Sequence, residues 1–250
     1  MNRSRIAVID IGNTNTDIAL FENADVRRRD FLPSSPEYAE QVCRIAEQWH
    51  GETPLESILI ASVVPAVGDL LVTLAESRMG VQPVMVEDFK TQLLPLKVDR
   101  PETVGVDRVV NAYAAVHLFG CPAIVVSLGT ATTFEAISDQ GEYLGGAIAP
   151  GVKISLEALT QRAALLPPGK LEKPRHIIAK NTLEHMQSGI YYGTCSLMEG
   201  MVKRFRNLLG ETARVIGTGG ISQLFADEGI FDHHEPLLTL KGLELIHRRR

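Results

Sequence analysis

The chain is poor in cysteine, with three in 250 residues. Cys43, Cys121 and Cys195 lie far apart and form no C-x-x-C pair, which excludes a disulfide framework and a zinc site of that type and points to the reducing cytoplasm. No apolar run is long enough to cross a bilayer. Met1-Asn2-Arg3-Ser4-Arg5 passes directly into a strand-like run without a signal-peptide cleavage pattern, so a soluble protein with no membrane partner is expected. Positive charge is not in excess either. The net charge is −5, which disfavours generic nucleic-acid binding, and the two basic runs, Arg27-Arg28-Arg29 and Arg248-Arg249-Arg250, read as solvated faces. Two nucleotide signatures are missing as well: there is no G-x-x-x-x-G-K-[ST], and no G-x-G-x-x-G follows the first strand.

What remains is a hydrophobic fraction of 45% with 22% charged residues, the composition of a globular chain long enough for one large domain or two of ordinary size. Ile6 to Ile9 and Ile18 to Phe21 flank a polar glycine turn and predict a hairpin. Tyr38, Val42, Ile45, Ala46 and Trp49 recur at helical spacing. A buried strand over 58–64, a helix over 66–79, a strand over 83–86 and a helix over 107–118 follow. This alternation argues an α/β fold. From residue 123 the order begins again, with strand 123–128, a turn of glycine and hydroxyls, and strands 134–138 and 143–148. Two lobes of duplicated topology, residues 1–118 and 119–250, are the economical reading. A long helix over 183–209 has Asn181 as N-cap with Glu184 three residues on. Its stripe of Gly189, Gly193, Ser196 and Gly200 permits close helix approach, either within the chain or between two copies of it.

The first copy leaves its strand on Asp10 and enters Gly12-Asn13-Thr14-Asn15-Thr16-Asp17. Backbone N–H groups and hydroxyls in such a turn suit phosphate oxygens, and Asp10 is an oxygen ligand of the kind Mg²⁺ takes. An ordinary hairpin turn would use the same residues. The second copy, Gly129-Thr130-Ala131-Thr132-Thr133, and a third glycine turn at Thr218-Gly219-Gly220 after the strand from Arg214, together point to an ATP cleft. Gly105-Val106-Asp107-Arg108 sets a carboxylate beside a guanidinium at a helix start. Asp107 can accept a hydroxyl proton and Arg108 can hold anionic oxygens; an aspartate that only stabilises the helix dipole is the plainer alternative.

These motifs, with Ser62-Val63-Val64-Pro65, Tyr143-Leu144-Gly145-Gly146, Pro150-Gly151, Asn181-Thr182 and Met186-Gln187-Ser188-Gly189, make the chain resemble the type III pantothenate kinases nearly end to end. Those belong to the acetate and sugar kinase, Hsp70 and actin superfamily. The resemblance implies an actin-like (ribonuclease H-like) fold in each lobe with an ATP cleft between them. The activity it implies is ATP-dependent phosphorylation of pantothenate to 4′-phosphopantothenate, towards coenzyme A. It makes Asp107 the catalytic base, gives Gly105, Val106 and Arg108 to pantothenate, and gives the Asp10 to Asp17 turn, Thr130 and its neighbours Gly129 and Thr132, and Gly219 and Gly220 to ATP. Thr182 would reach pantothenate across a homodimer interface, and Mg²⁺ with K⁺ or NH₄⁺ would be required.

Three positions depart from that pattern. Ser127 stands where the family has the aspartate that ligates the monovalent cation, Glu135 stands for an aspartate, and Val98 for a tyrosine lining the substrate site. A serine supplies an oxygen without charge, so weaker cation dependence is expected. A catalytically weak paralogue that binds nucleotide or pantothenate, or a kinase for another small acceptor, are the alternative readings.

Overall fold

In the computed structural model, residues 4–162 and 171–250 are described; residues 1–3, most of the opening stretch read above, lie outside them. The order of elements is β1 (Arg5–Ile11), β2 (Asn15–Glu22), β3 (Asp25–Pro33), α1 (Pro36–Glu52), β4 (Ser57–Ser62), α2 (Pro65–Met79), β5 (Val84–Met85), α3 (Val106–Phe119), β6 (Ala123–Leu128), β7 (Ala131–Ile137), β8 (Tyr143–Pro150), α4 (Val152–Arg162), α5 (Thr182–Leu209), β9 (Arg214–Thr218), β10 (His233–His234) and α6 (Leu238–Arg249).

The described chain divides into two compact units, one of residues 4–95, 99–114 and 238–250, the other of Leu96–Val98 and Ala115–Leu237. The first carries a five-stranded sheet of order β3-β2-β1-β4-β5 and the second a sheet of order β10-β9-β6-β7-β8. In both, a three-stranded antiparallel meander continues into two parallel strands. β1 corresponds to β6, β2 to β7, β3 to β8, β4 to β9 and β5 to β10. The repeat read in the sequence is therefore a repeat of topology.

In the first unit, the middles of β1 and β4, Ile6 to Ile9 and Ile58 to Ala61, are apolar because both faces are covered. Ile9, Ile11, Ile18, Leu20, Ile58 and Ile60 pack with Val42, Ala46 and Trp49 of α1 and Leu71 of α2. α6 packs on β1, β2 and β4 and buries Leu238, Leu240, Leu243, Leu245 and Ile246. Gly242 of α6 has no room for a side chain, since a Cβ would lie 2.7 Å from Val110 and 2.9 Å from its carbonyl oxygen. This burial takes residues 238–250 into the first unit, whereas the sequence reading ran the second lobe to the end of the chain.

The basic run also has a place the sequence reading did not give it. Arg27, Arg28 and Arg29 are exposed but lie on the edge strand β3, where charge discourages pairing with another chain. Each has a carboxylate partner: Glu22, Glu52 and Asp17 respectively.

The second core gathers Ile124, Val126, Leu128 and Phe134 of the sheet with Tyr191, Cys195, Met198 and Val202 of α5. Asn181 caps that helix as expected, its side chain accepting from the Glu184 N–H at 3.0 Å. The face of α5 that is buried carries Met186, Tyr191, Cys195, Met198 and Val202. Leu208 is 88% exposed, and Gly189, Gly193 and Ser196 are exposed too. No helix among the described residues is long and apolar enough to cross a membrane.

Candidate active site

In the first unit, Asp10 is the penultimate residue of β1, and the turn at Gly12 is closed by the Gly12 N–H donating to the Asn15 carbonyl at 3.0 Å. A second tie, from the Ser34 N–H to the Thr14 carbonyl at 2.9 Å, fastens the turn to the end of β3. Asn13 and Thr14 are left exposed and Asn15 half-buried. Thr16 turns inward, 1% exposed, with its hydroxyl 2.9 Å from that of Ser34.

Asp17 lies directly across from Asp10 in the antiparallel register, so both side chains share one face. Arg29 of β3 grips Asp17 with a fork, Nε donating to Oδ1 at 2.8 Å and Nη2 to Oδ2 at 2.5 Å. Such a bidentate pair fixes the carboxylate in place. Asp10 has the opposite electrostatics. Burial, then the nearby charges of Asp107 and Asp17, push its carboxyl well above the usual carboxylate range.

Asp107 stands in the first turn of α3. The Gly105 carbonyl opens that helix by accepting from the N–H groups of Arg108 (3.1 Å) and Val109 (3.2 Å). A Cβ on Gly105 would lie 2.6 Å from the Asp107 Oδ1, so only glycine lets the carboxylate fold back over the helix entrance. Asp107 and Arg108 are both half-buried, and Val106 beside them is buried. The first unit thus brings Asp10, Asp17 and Asp107 into one electrostatic neighbourhood.

The second unit repeats the turn. The Gly129 N–H donates to the Ala131 carbonyl at 3.0 Å, and Thr130 is exposed. Gly219, at φ +92°, lies against the end of β6, where a Cβ would come within 2.5 Å of the Leu128 carbonyl oxygen. Gly151 approaches from another side, a Cβ there lying 2.6 Å from the Gly129 carbonyl oxygen. Gly129, Thr130, Gly219 and the exposed Gly220 therefore form one patch of close-packed backbone. Ser222, wholly buried, holds it by donating to the Gly219 carbonyl at 2.6 Å, with His234 Nε2 2.8 Å from the same hydroxyl. With that proton used, the imidazole donates.

Ser127 is half-buried and aligned with Thr133 of β7 and Thr218 of β9, three hydroxyls in a row across the sheet. Glu135, 1% exposed on the same face, accepts a hydrogen bond from the Tyr143 hydroxyl at 2.5 Å. Thr132 points to the opposite face and is 1% exposed; its hydroxyl is, among the described residues, the one buried side-chain polar atom without a hydrogen-bond partner. Val98 packs beside Gly145, 3.5 Å from where a Cβ would be, in a segment whose Lys97 N–H donates to the Tyr143 carbonyl at 2.8 Å. Thr182 is exposed at the first position of α5.

Three supports were not read in the sequence. Arg29 was hidden in a basic run. The Ser222 to His234 bond and the buried Lys90 described below join segments distant in sequence and leave no local pattern.

Comparison with known proteins bears on the fold and the family. A structure from Campylobacter jejuni described as a Baf family transcriptional activator superposes with a TM-score of 0.62 at 18% identity, covering 97% of this chain and 98% of that one. The ethanolamine utilization protein EutJ of Carboxydothermus hydrogenoformans gives a TM-score of 0.56 at 14% identity, covering 98% and 90%. At these identities the likeness establishes the fold alone. The type III pantothenate kinase of Moorella thermoacetica is 38% identical over 251 residues, 98% of this chain and 99% of that protein. Residues 6–204 also match the sequence profile of the type III pantothenate kinase family, and on these grounds the chain belongs to that family.

Proposed function

We propose that this protein is an ATP-dependent kinase that phosphorylates pantothenate to 4′-phosphopantothenate in the biosynthesis of coenzyme A. The observation that carries the reading is the Asp107 carboxylate, folded over Gly105 at the entrance of α3 beside Asp10. The acceptor hydroxyl of pantothenate forms a bond to the γ-phosphorus, the bond to ADP breaks, and the hydroxyl proton passes to Asp107. Arg108 holds the pantothenate carboxylate, and Gly105 and Val106 line its path. In the first unit Gly12, Asn15 and the exposed Asn13 and Thr14, and in the second unit Gly129, Thr130, Gly219 and Gly220, each offer N–H and hydroxyl groups of the kind a nucleotide takes. Asp17, held by Arg29, sits at the far end of the first turn. Thr16 and Thr132 act from within the turns, since their hydroxyls face inward.

A divalent cation fits the first unit, because Asp10 is a hard oxygen ligand whose charge is disfavoured by burial and by two carboxylates. Mg²⁺ would be held there by Asp10, supplying charge neutralisation at the phosphates. The row of Ser127, Thr133 and Thr218 offers neutral oxygens, which fit K⁺ or NH₄⁺ as a weakly held ion. The enzyme works as a homodimer in the cytoplasm. Support for the dimer comes from the exposed small-residue face of α5 and from Ile177 and Ile178, 65% and 83% exposed just before it.

ADP release with pantothenate, ATP and Mg²⁺, with and without K⁺ or NH₄⁺, tests the reading. Native turnover that falls about 10²–10⁴-fold in Asp107→Asn is expected, together with a cation requirement that Ser127→Asp sharpens. A native protein that transfers no phosphate to pantothenate would overturn the assignment.

A further inference from the structure

Lys90 is a charged residue in the interior that the chemistry above does not use. Its side chain is 6% exposed, and it sits in the 3-10 turn Val86–Gln92. Its ammonium makes three hydrogen bonds. Nζ donates to the Glu87 Oε1 at 2.6 Å, to the Glu102 carbonyl at 2.9 Å and to the Val104 carbonyl at 2.6 Å. An ammonium has three protons, so these contacts satisfy it completely, as burial of a charge demands.

Two of the three acceptors are backbone carbonyls that flank the approach to Gly105-Val106-Asp107-Arg108. The short 3-10 turn Pro101–Thr103 has few internal bonds: the Thr103 N–H donates to the Arg100 carbonyl at 3.1 Å and the Val104 N–H to the Pro101 carbonyl at 3.3 Å. Beyond Val104 the chain goes directly to Gly105, over which the Asp107 carboxylate lies. A shift of Val104 therefore moves Gly105, the start of α3 and Asp107 together.

We propose that Lys90 is a positioning residue that fixes the acceptor motif, and through it the Asp107 carboxylate, by clamping the carbonyls of Glu102 and Val104. The inference rests on the reading of Gly105 to Arg108 as the acceptor site. A neutral side chain of similar length would leave two carbonyls partly unmet and the motif free to drift. Displacement of a reacting group by about 1 Å costs on the order of 10²-fold in rate. Glu87 supplies only a partly exposed counter-charge, so it matters less than the two carbonyls.

The test compares Lys90→Met and Glu87→Gln with the native protein by steady-state kinetics and by amide hydrogen exchange. For Lys90→Met the expected result is a KM for pantothenate at least about tenfold higher, with kcat reduced and the KM for ATP within about twofold of native. Exchange should quicken at the amides of residues 103–109 and remain native in β1 and β4. Glu87→Gln should stay within about threefold of native in every constant. Should Lys90→Met not fold, Lys90→Gln is read in the same way. An unchanged pantothenate KM, an equal rise in both KM values, or exchange that rises throughout the unit would overturn the proposal. The exchange result stands apart from the substrate: if the native protein transfers no phosphate to pantothenate, that reading fails, while local loosening of 103–109 still decides whether Lys90 holds the motif.

Discussion

At the scale of the residue, Asp10 is the group whose environment conflicts most with its charge. Its carboxyl is held above the ordinary range by burial first, then by Asp107 and Asp17. Between the ordinary carboxylate pKa and the raised one, the folded protein binds more protons than the unfolded chain. Stability therefore falls as pH rises through that window, and the loss persists above it. An aspartate kept under this strain fits a residue retained for function at the expense of stability. Asp10→Asn removes the charge, so at pH 8 the variant should melt higher than the native protein, by roughly 2–4 °C for each kcal/mol relieved in a chain of this size. The gain should shrink towards pH 4, and kinase activity should be lost. Melting curves for both proteins at the two pH values decide it; a variant less stable at every pH would show that the carboxylate is not strained. Asp10 and Asp107 were legible from the sequence because each sits at a junction of elements. Arg29, which holds Asp17, was not, because its strand reads as a run of like charge.

The element that recurs is a strand, a glycine turn and an antiparallel return strand. Both hairpins were legible as β-rich runs around polar turns, and so were α1, α2 and α3. The inward placement of Thr16 and Thr132 was not. Contiguous polar residues read as one turn, yet the return strands begin at Asn15 and Ala131, and from there pleating sends alternate side chains to opposite faces. Asn15 and Asp17 go one way and Thr16 the other. α6 escaped notice because its apolar positions follow a segment with turn residues and end in a basic run. Gly219 shows what the second unit demands of its turns. Alanine there would need φ near +92° and a Cβ 2.5 Å from a backbone oxygen that cannot move aside, a strain of about 1–3 kcal/mol. Gly219→Ala should raise the KM for ATP about tenfold or more and lower the melting temperature, with the KM for pantothenate within about twofold. A higher pantothenate KM at unchanged ATP KM would remove Gly219 from the nucleotide site.

For the whole molecule, the two sheets share one topology while their chemistry has diverged. The strand whose penultimate residue is Asp10 in the first unit has Ser127 at that place in the second, within a row of hydroxyls. Carboxylates gather in the first unit, and hydroxyls with close-packed backbone in the second. The proposed self-association is argued from a different feature, the outward face of α5. Among the described residues, and apart from the helix's own backbone, no atom lies within 4 Å of where a Cβ would be on Gly189 or Gly193, and Leu197 beside them is 36% exposed. Among the described residues nothing packs on this face at Gly189 and Gly193 to explain the small residues there; against a second copy the face would let two helices approach closely. Gly193→Arg tests this without disturbing the core, because the new side chain enters open space. Sedimentation of the native protein should give a dimer, and of the variant a folded monomer with native helical circular dichroism. If Thr182, at the start of the same helix, reaches pantothenate across that interface, as the resemblance implies, the monomer should also lose most of its kcat/KM for pantothenate. A native monomer that turns over normally, or a variant that remains dimeric and active, would place the interface elsewhere and leave α5 with a solvent-facing stripe.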